Sequence, residues 1–599
     1  MSTRVPRDIL FGNPEKTSPK VSPNGKLWAY LAPDEGVLNV WVGPEGGTAA
    51  PLTRDRGRGV RTFLWAEDER SILYVQDKNG DENWHLYQTD VETRLTRDLT
   101  PYPNVQAQIV ATEPTRPDEI LVALNDRDPR SHDVWRVNLK DGSRTLEATN
   151  PGDVIGWLPD HDFNIALQKA MRSDGGTVLR LKNGDGWRDF LSCGPDDQLG
   201  AHGFAPGGKA VYVESSVDRD TTALLEVPLD GGSHKVLAEH PESDLGSVLL
   251  HPRTYHVEAV SFEVDRQRWT VLDPKLKADF AAMEALEGDI SIVSRNDADT
   301  VWYLLVNRSD RSPAYLRWDR PKRSSSPLFA TRPGLESYTL APMTPVTYAA
   351  RDGLKIHAYL TAPAGRKPEK LPLVVLVHGG PWARDRWGFH PEAQWLASVG
   401  LAVLQINYRG SSGLGKRHLH AGDREWGAKM QDDLTDGVNW AVAQGIADPD
   451  RVAIYGGSYG GYAALAGAAF TPNVYRCAVD VVGPSNLMTL IQSIPPYWEP
   501  MRRIFDLRVG SVDTEADFLK SRSPLFFVDK IEIPLLVAQG ANDPRVKQAE
   551  AEQIVAALRA KGKPVEYLLY PDEGHGFAKP SNRLDFYAKA EAFLTRHLS

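Results

Sequence analysis

Seven turn signals recur through the first half of the chain at gaps of 44 to 47 residues, and that period limits the fold more than any other feature. They stand near Pro23 (SPNGK), Glu67 (AEDER), Pro114 (EPTRPDE), Pro159 (LPDHD), Pro206 (APGGK), Pro252 (HPRTY) and Asp297 (NDADT). Strand-like runs such as Leu27 to Ala32, Ile72 to Val75 and Val301 to Val306 follow them. A second kind of strand comes later in the unit, as in DVWRVNL from Asp133 or ALLEVPL from Ala223. A single four-stranded unit cannot bury both of its faces, so all-β repeats of about 45 residues stack as propeller blades. The sequence therefore predicts an N-terminal segment over 1–19 and an all-β, seven-bladed propeller over 20–338.

From 339 to 599 the pattern changes. Two strands (VTYAA and IHAYLTAP) lead into apolar strands that alternate with longer helical stretches: LPLVVLVHGG, LAVLQINYRG, RVAIYGG, CAVDVVG, IPLLVAQG and VEYLLYP. Strands that are apolar throughout and separated by helices predict a mostly parallel sheet covered on both faces.

The chemistry is concentrated in this second half. Gly456-Gly-Ser458-Tyr-Gly460 follows the strand RVAIY directly and opens a helix of small residues, Tyr462 to Ala469. A sharp strand-to-helix turn of this kind lifts a serine hydroxyl clear of the backbone, and its glycines let neighbouring chain pass closely; it is the nucleophile turn of α/β-hydrolase domains. A serine hydroxyl needs a base, and the order in this fold class is serine, acid, histidine. Asp543 in QGANDPRV and His575 in PDEGHGF each open a loop at a strand's carboxyl end, 85 and then 32 residues further on. Ser458, Asp543 and His575 are the predicted triad. The tetrahedral oxyanion needs donors, and the glycine pair of His378-Gly-Gly-Pro381 after a buried strand points to the N–H groups of Gly380 and Tyr459. With an ordinary histidine pKa near 6.5, activity is expected to rise between about pH 6 and 7.

Several function classes are disfavoured. A net charge of −10 does not suit a nucleic-acid partner. No apolar run reaches the roughly 18 residues that span a bilayer, and Arg4, Pro6, Arg7 and Asp8 break any leader-like stretch, so a cytoplasmic protein is expected. Cys193 and Cys477 are far apart and offer neither a disulfide framework nor a zinc site, so no metal or cofactor is expected. Gly410-SSGL-Gly415-Lys416 has the outline of a phosphate loop, but Arg417 stands where the magnesium-binding Ser or Thr belongs.

With the triad behind a propeller-like repeat, and with NYRGSSGLG from Asn407, EWG at Glu425 and DPRV at Asp543, the chain resembles the prolyl oligopeptidase family of serine peptidases along nearly its whole length. The resemblance implies an active site in the cavity between propeller and hydrolase domain, reached by short peptides. It also implies that Arg545 holds a substrate carbonyl, that Val546 and Tyr459 border the pocket for the residue before the cut, and that a homo-oligomer is an option. Tyr497 and Trp498 are aromatic candidates for the same pocket. His378 stands where prolyl endopeptidases and dipeptidyl peptidases of the family carry tyrosine, which favours the acylaminoacyl-peptidase type. The propeller sequence shows no Glu-Glu pair of the kind the family's dipeptidyl peptidases use to clasp a free amino terminus, a task that acids from separate segments could also perform. A dipeptidyl aminopeptidase, a carboxypeptidase using Arg502 and Arg503, and a carboxylesterase are the alternatives.

Overall fold

In the computed structural model, which describes residues 4–599, seven small antiparallel sheets precede one eight-stranded sheet. The small sheets cover residues 17–51, 63–98, 107–148, 154–193, 199–238, 245–271 and 289–330, and these are blades 1 to 7. Every one of the seven turn signals joins the first strand of its blade to the second. The later strands read from the sequence are third strands, such as Ser131–Asn138 and Ala223–Pro228.

Blade 6 departs from the expected four strands. Leu245–Leu250, Val257–Glu263 and Gln267–Val271 pair, and the chain then forms the helix Lys277–Met283. Asp273 accepts from the Lys275 N–H to start this turn, and the run KADFAAM consists largely of good helix formers. Leu276, just before the helix, and Met283, at its end, bury against Trp302 and Trp318 of blade 7.

Each blade is built from consecutive strands, so none shares a strand with another. Blade 1 meets blade 7 through an apolar cluster including Trp28, Tyr30 and Tyr303, and through the hydrogen bonds Val21 N–H to Ser294 Oγ (3.1 Å) and Asp297 N–H to Pro23 O (2.8 Å).

The large sheet contains β1 (Met343–Ala349), β2 (Lys355–Thr361), β3 (Leu371–Val377), β4 (Ala402–Asn407), β5 (Ala447–Gly457), β6 (Cys477–Val481), β7 (Leu535–Gly540) and β8 (Val565–Tyr570). Their order is β1-β2-β4-β3-β5-β6-β7-β8, antiparallel through β4 and parallel beyond it. Strand periodicity sends Leu373, Val375 and Val377 to one face and Val374 and Leu376 to the other. The first face packs against α2 (Lys429–Ala443), α3 (Tyr459–Phe470) and α4 (Gln548–Ala560). The second packs against α1 (Pro391–Ser398), α5 (Pro580–Leu598) and the short N-terminal helix Arg7–Phe11. Among the described residues no helix is long and apolar enough to cross a membrane.

The loop that mimics a phosphate loop docks the two halves together. Lys416 Nζ pairs with Asp197 Oδ1 (2.7 Å), the Lys416 N–H donates to Asp220 O (2.8 Å), and the Gly415 N–H donates to Asp244 Oδ2 (3.2 Å). Its lysine and amides meet propeller acids.

Candidate active site

β5 ends at Gly457, α3 begins at Tyr459, and Ser458 between them has φ 59° and ψ −120°. Few non-glycine residues hold such angles, and the surrounding packing enforces them here. A Cβ on Gly456 would stand 2.6 Å from the carbonyl of Gly460 and 2.6 Å from Val377 O, and a Cβ on Gly460 would stand 2.1 Å from Val377 O. Any larger residue at either position would push α3 off β3. This is the physical content of the G-x-S-x-G pattern.

The sheet order brings the other two predicted residues alongside. Asp543 follows β7 and His575 follows β8, the next strands outward beyond β6. Asp543 Oδ2 lies 2.7 Å from His575 Nδ1, and its Oδ1 accepts the N–H groups of Arg545 and Val546 at 2.9 Å each. A carboxylate can only accept, so Nδ1 carries the proton and the free lone pair is on Nε2. Asp543 is 3% exposed and fixed by three donors. Ser458 and His575 line the same cavity, together with Gly380 and Tyr459.

The HGGP segment follows β3. A Cβ on Gly379 would lie 3.3 Å from Ser458 Cβ, so this strip of backbone passes directly over the serine, and Gly380 has φ +124°. Tyr459 is the first residue of α3, and its N–H therefore has no partner within the helix. His378 turns inward instead. Its ring stacks on Tyr408 (centroids 4.4 Å apart), its Nε2 meets Ser411 Oγ at 2.9 Å, and its carbonyl accepts the Tyr408 hydroxyl at 2.9 Å. Burial pushes its pKa down, so it is a neutral support for the loop.

The cavity over Ser458 measures about 490 Å³ and is mainly apolar, walled by Trp382, Trp426, Leu490, Trp498, Phe505 and Val546. Trp498 and Val546, both named from the sequence, line this cavity. Tyr497 does not line this cavity; it faces an adjoining chamber of about 600 Å³ bounded by propeller residues such as Trp84, His132 and Trp157. Arg502 and Arg503 border neither space, and Arg503 faces Asp506 at 3.8 Å.

The adjoining chamber is lined by a residue that the sequence did not reveal. Glu82, in the loop joining the second and third strands of blade 2, is 9% exposed. Arg545 Nε reaches its carboxylate at 2.8 Å, and the Tyr497 hydroxyl donates to it at 2.8 Å. Burial and this carboxylate hold the Tyr497 hydroxyl well above its usual pKa, so it remains a donor. Arg545 borders both spaces.

A cluster of metal-binding type, His251, Glu258 and Asp299, lies in blades 6 and 7. Arg295 Nη1 already faces Glu258 at 2.7 Å and Asp299 at 3.6 Å, so an arginine supplies the positive charge there.

The chain is 43% identical over 609 residues to dipeptidyl aminopeptidase BIII of Pseudoxanthomonas mexicana, an alignment covering 99% of this chain and 88% of that protein. Residues 387–599 match the model of the prolyl oligopeptidase family. The chain belongs to that family. It is a serine peptidase, a seven-bladed propeller followed by an α/β-hydrolase domain. An acylamino-acid-releasing enzyme of Arabidopsis thaliana is 27% identical over 354 residues, 53% of this chain and 46% of that one. Among solved structures, a Mycobacterium tuberculosis puromycin-hydrolyzing peptidase shares the fold with a TM-score of 0.80 at 22% identity, over 100% of this chain and 97% of that one.

Proposed function

We propose that this family member is a dipeptidyl aminopeptidase, releasing dipeptides from the free amino end of short peptides. The observation that carries the reading is Glu82, a mostly buried carboxylate that the propeller contributes to the chamber adjoining the Ser458 cavity, paired with Arg545, which borders both. A carboxylate there suits an α-ammonium group, which offers three donors and a full positive charge. Arg545 between Glu82 and the cavity would hold the carbonyl of the first residue, leaving the second residue's side chain in the apolar cavity. An apolar second residue is therefore preferred. A relative that matches along nearly the whole chain carries the same activity in its name.

Chemistry proceeds in two steps. Ser458 Oγ attacks the second residue's carbonyl carbon while His575 Nε2 takes its proton, and Asp543 stabilises the imidazolium. The oxyanion is held by the N–H groups of Gly380 and Tyr459, aided by the positive end of α3. His575 passes the proton to the leaving amine, the C–N bond breaks, and a dipeptidyl ester remains on Ser458. Water, deprotonated by His575, attacks that ester, and Ser458 leaves with the proton.

The acylaminoacyl type remains the second reading, favoured by His378-Gly-Gly-Pro and by the acylamino-acid-releasing relatives. Peptides free at both ends, amino-acetylated, or carboxyl-amidated separate the two, with products identified by mass spectrometry and Ser458→Ala as control. Dipeptide release from free and amidated peptides, with none from acetylated ones, is expected. Cleavage that requires the acetyl group would reverse the assignment.

A further inference from the structure

The loop carrying His575 is gripped from two sides. Gly540, at the end of β7, would place a Cβ 2.1 Å from Gly574 O, and Gly80, in the same blade 2 loop as Glu82, would place one 2.4 Å from the Gly574 nitrogen. The preceding residue, Glu573, is fully buried. Its carboxylate accepts the Ala578 N–H (2.9 Å), the Lys579 N–H (2.7 Å) and Asn582 Nδ2 (3.0 Å), all from its own loop and the start of α5. The fourth donor is Arg58 Nη1 at 2.6 Å.

Arg58 belongs to the other half of the molecule, on the segment between blades 1 and 2, and its side chain is 8% exposed. Asp77 Oδ1 flanks its Nε at 3.4 Å. The loop's own cation is committed elsewhere, because Lys579 Nζ pairs with Asp572 at 2.5 Å. Glu573 is also tied to the acid's loop, since its carbonyl accepts the Asn542 N–H at 2.9 Å, one residue before Asp543. One buried side chain thus touches the histidine loop and the propeller, while its backbone holds the acid's loop.

We propose that Arg58 is a positioning residue for His575, so that the triad is fully assembled only while the propeller is docked. Arg61 and Arg583 act on Glu573 only through space; a buried carboxylate that loses its hydrogen-bonded cation is strongly unfavourable, and the loop relieves it by letting water in and moving Glu573 outward. His575 is two residues away on the same loop. A displacement of about 1 Å at a reacting group is enough to cost about 10²-fold in rate. The inference rests on Ser458, His575 and Asp543 being the triad.

The test uses the full chain with Arg58→Met and Arg58→Lys. Three quantities are measured: the rate at which a fluorophosphonate labels Ser458, kcat and KM on an Ala-Phe p-nitroanilide, and the melting temperature. Arg58→Met is expected to lower labelling rate and kcat together by about 10- to 100-fold with KM within about twofold, and Arg58→Lys to restore most of both. Unchanged labelling and kcat in Arg58→Met, or a lower melting temperature with kcat intact, would overturn the proposal. If Arg58→Met does not fold, Gly80→Ala strains the same seam from the loop tip. The same kcat-selective loss is expected there, and normal kcat would overturn the proposal equally. A wild-type protein that the fluorophosphonate does not label would overturn the triad assignment itself.

Discussion

Glutamine at position 82 keeps the shape of the side chain and an acceptor for Tyr497 while removing the negative charge. Two unit charges about 4 Å apart interact by roughly 4 kcal/mol at an effective dielectric constant near 20, a reasonable value for a mostly buried group at a cleft. Arg545 already occupies one side of this carboxylate, so an incoming ammonium shares it. About half of that energy, roughly 2 kcal/mol, is then the charge's differential worth to a free amino terminus, or about 30-fold in kcat/KM. The assay compares kcat/KM for a dipeptidyl p-nitroanilide with that for its acetylated form in wild type and Glu82→Gln. The free substrate should lose about 30-fold, and the preference for it over the acetylated form should shrink by the same factor. A loss shared equally by both substrates, or no loss, would refute the ammonium site and leave Glu82 as a structural partner of Arg545.

Gly460→Ala should abolish fluorophosphonate labelling of Ser458, because its Cβ would stand 2.1 Å from Val377 O within backbone that cannot yield; normal labelling would contradict the packing account of the elbow. Asp543→Asn should lower kcat by about 10⁴-fold, since an amide in place of the carboxylate favours the wrong histidine tautomer; a loss below tenfold in steady-state assays would remove Asp543 from the triad. Glu67 in the propeller has its pKa raised from 4.5 to about 7, chiefly by burial. The unfolded chain therefore sheds this proton first, and stability falls as pH rises between about 4.5 and 7, by on the order of 2 kcal/mol. Glu67→Gln should accordingly raise the melting temperature at pH 8 and leave it nearly unchanged at pH 4.5, whereas an equal shift at both would contradict the burial argument.

The sequence exposes what is local. The hairpins at Pro23 through Asp297 and the strand-turn-helix at Ser458 are written in contiguous residues, so the blade number and the sharp turn at the end of β5 are legible in the sequence. Asp543 and His575 follow from strand order, because a parallel sheet lines up its carboxyl ends. Glu82 and Arg58 left no such trace. They lie 463 and 515 residues from Arg545 and Glu573, and only the docking of one half on the other makes them neighbours. No adjacent glutamates mark Glu82, and a single carboxylate in the loop DKNGDEN resembles any solvated turn. The helix of blade 6 is hidden for another reason: the regular period of the hairpins invites four strands per unit, whereas the composition of LKADFAAM favours a helix.

The propeller resembles a belt more than a hoop. Among the described residues no strand crosses from blade 7 into blade 1, so beyond the side-chain and turn contacts of their seam part of the fastening lies where the chain enters and leaves. There the Glu15 N–H donates to Thr331 O at 3.0 Å, and Arg332 Nη1 donates to Ile9 O at 2.7 Å. Arg583 of α5 adds a third point by donating to Phe11 O at 2.9 Å, so the catalytic half holds the clasp shut. With that buckle loosened, blades 1 and 7 would be held only by the cluster of Trp28, Tyr30 and Tyr303 and by the two hydrogen bonds of their seam, and parting them would break no strand-to-strand ladder.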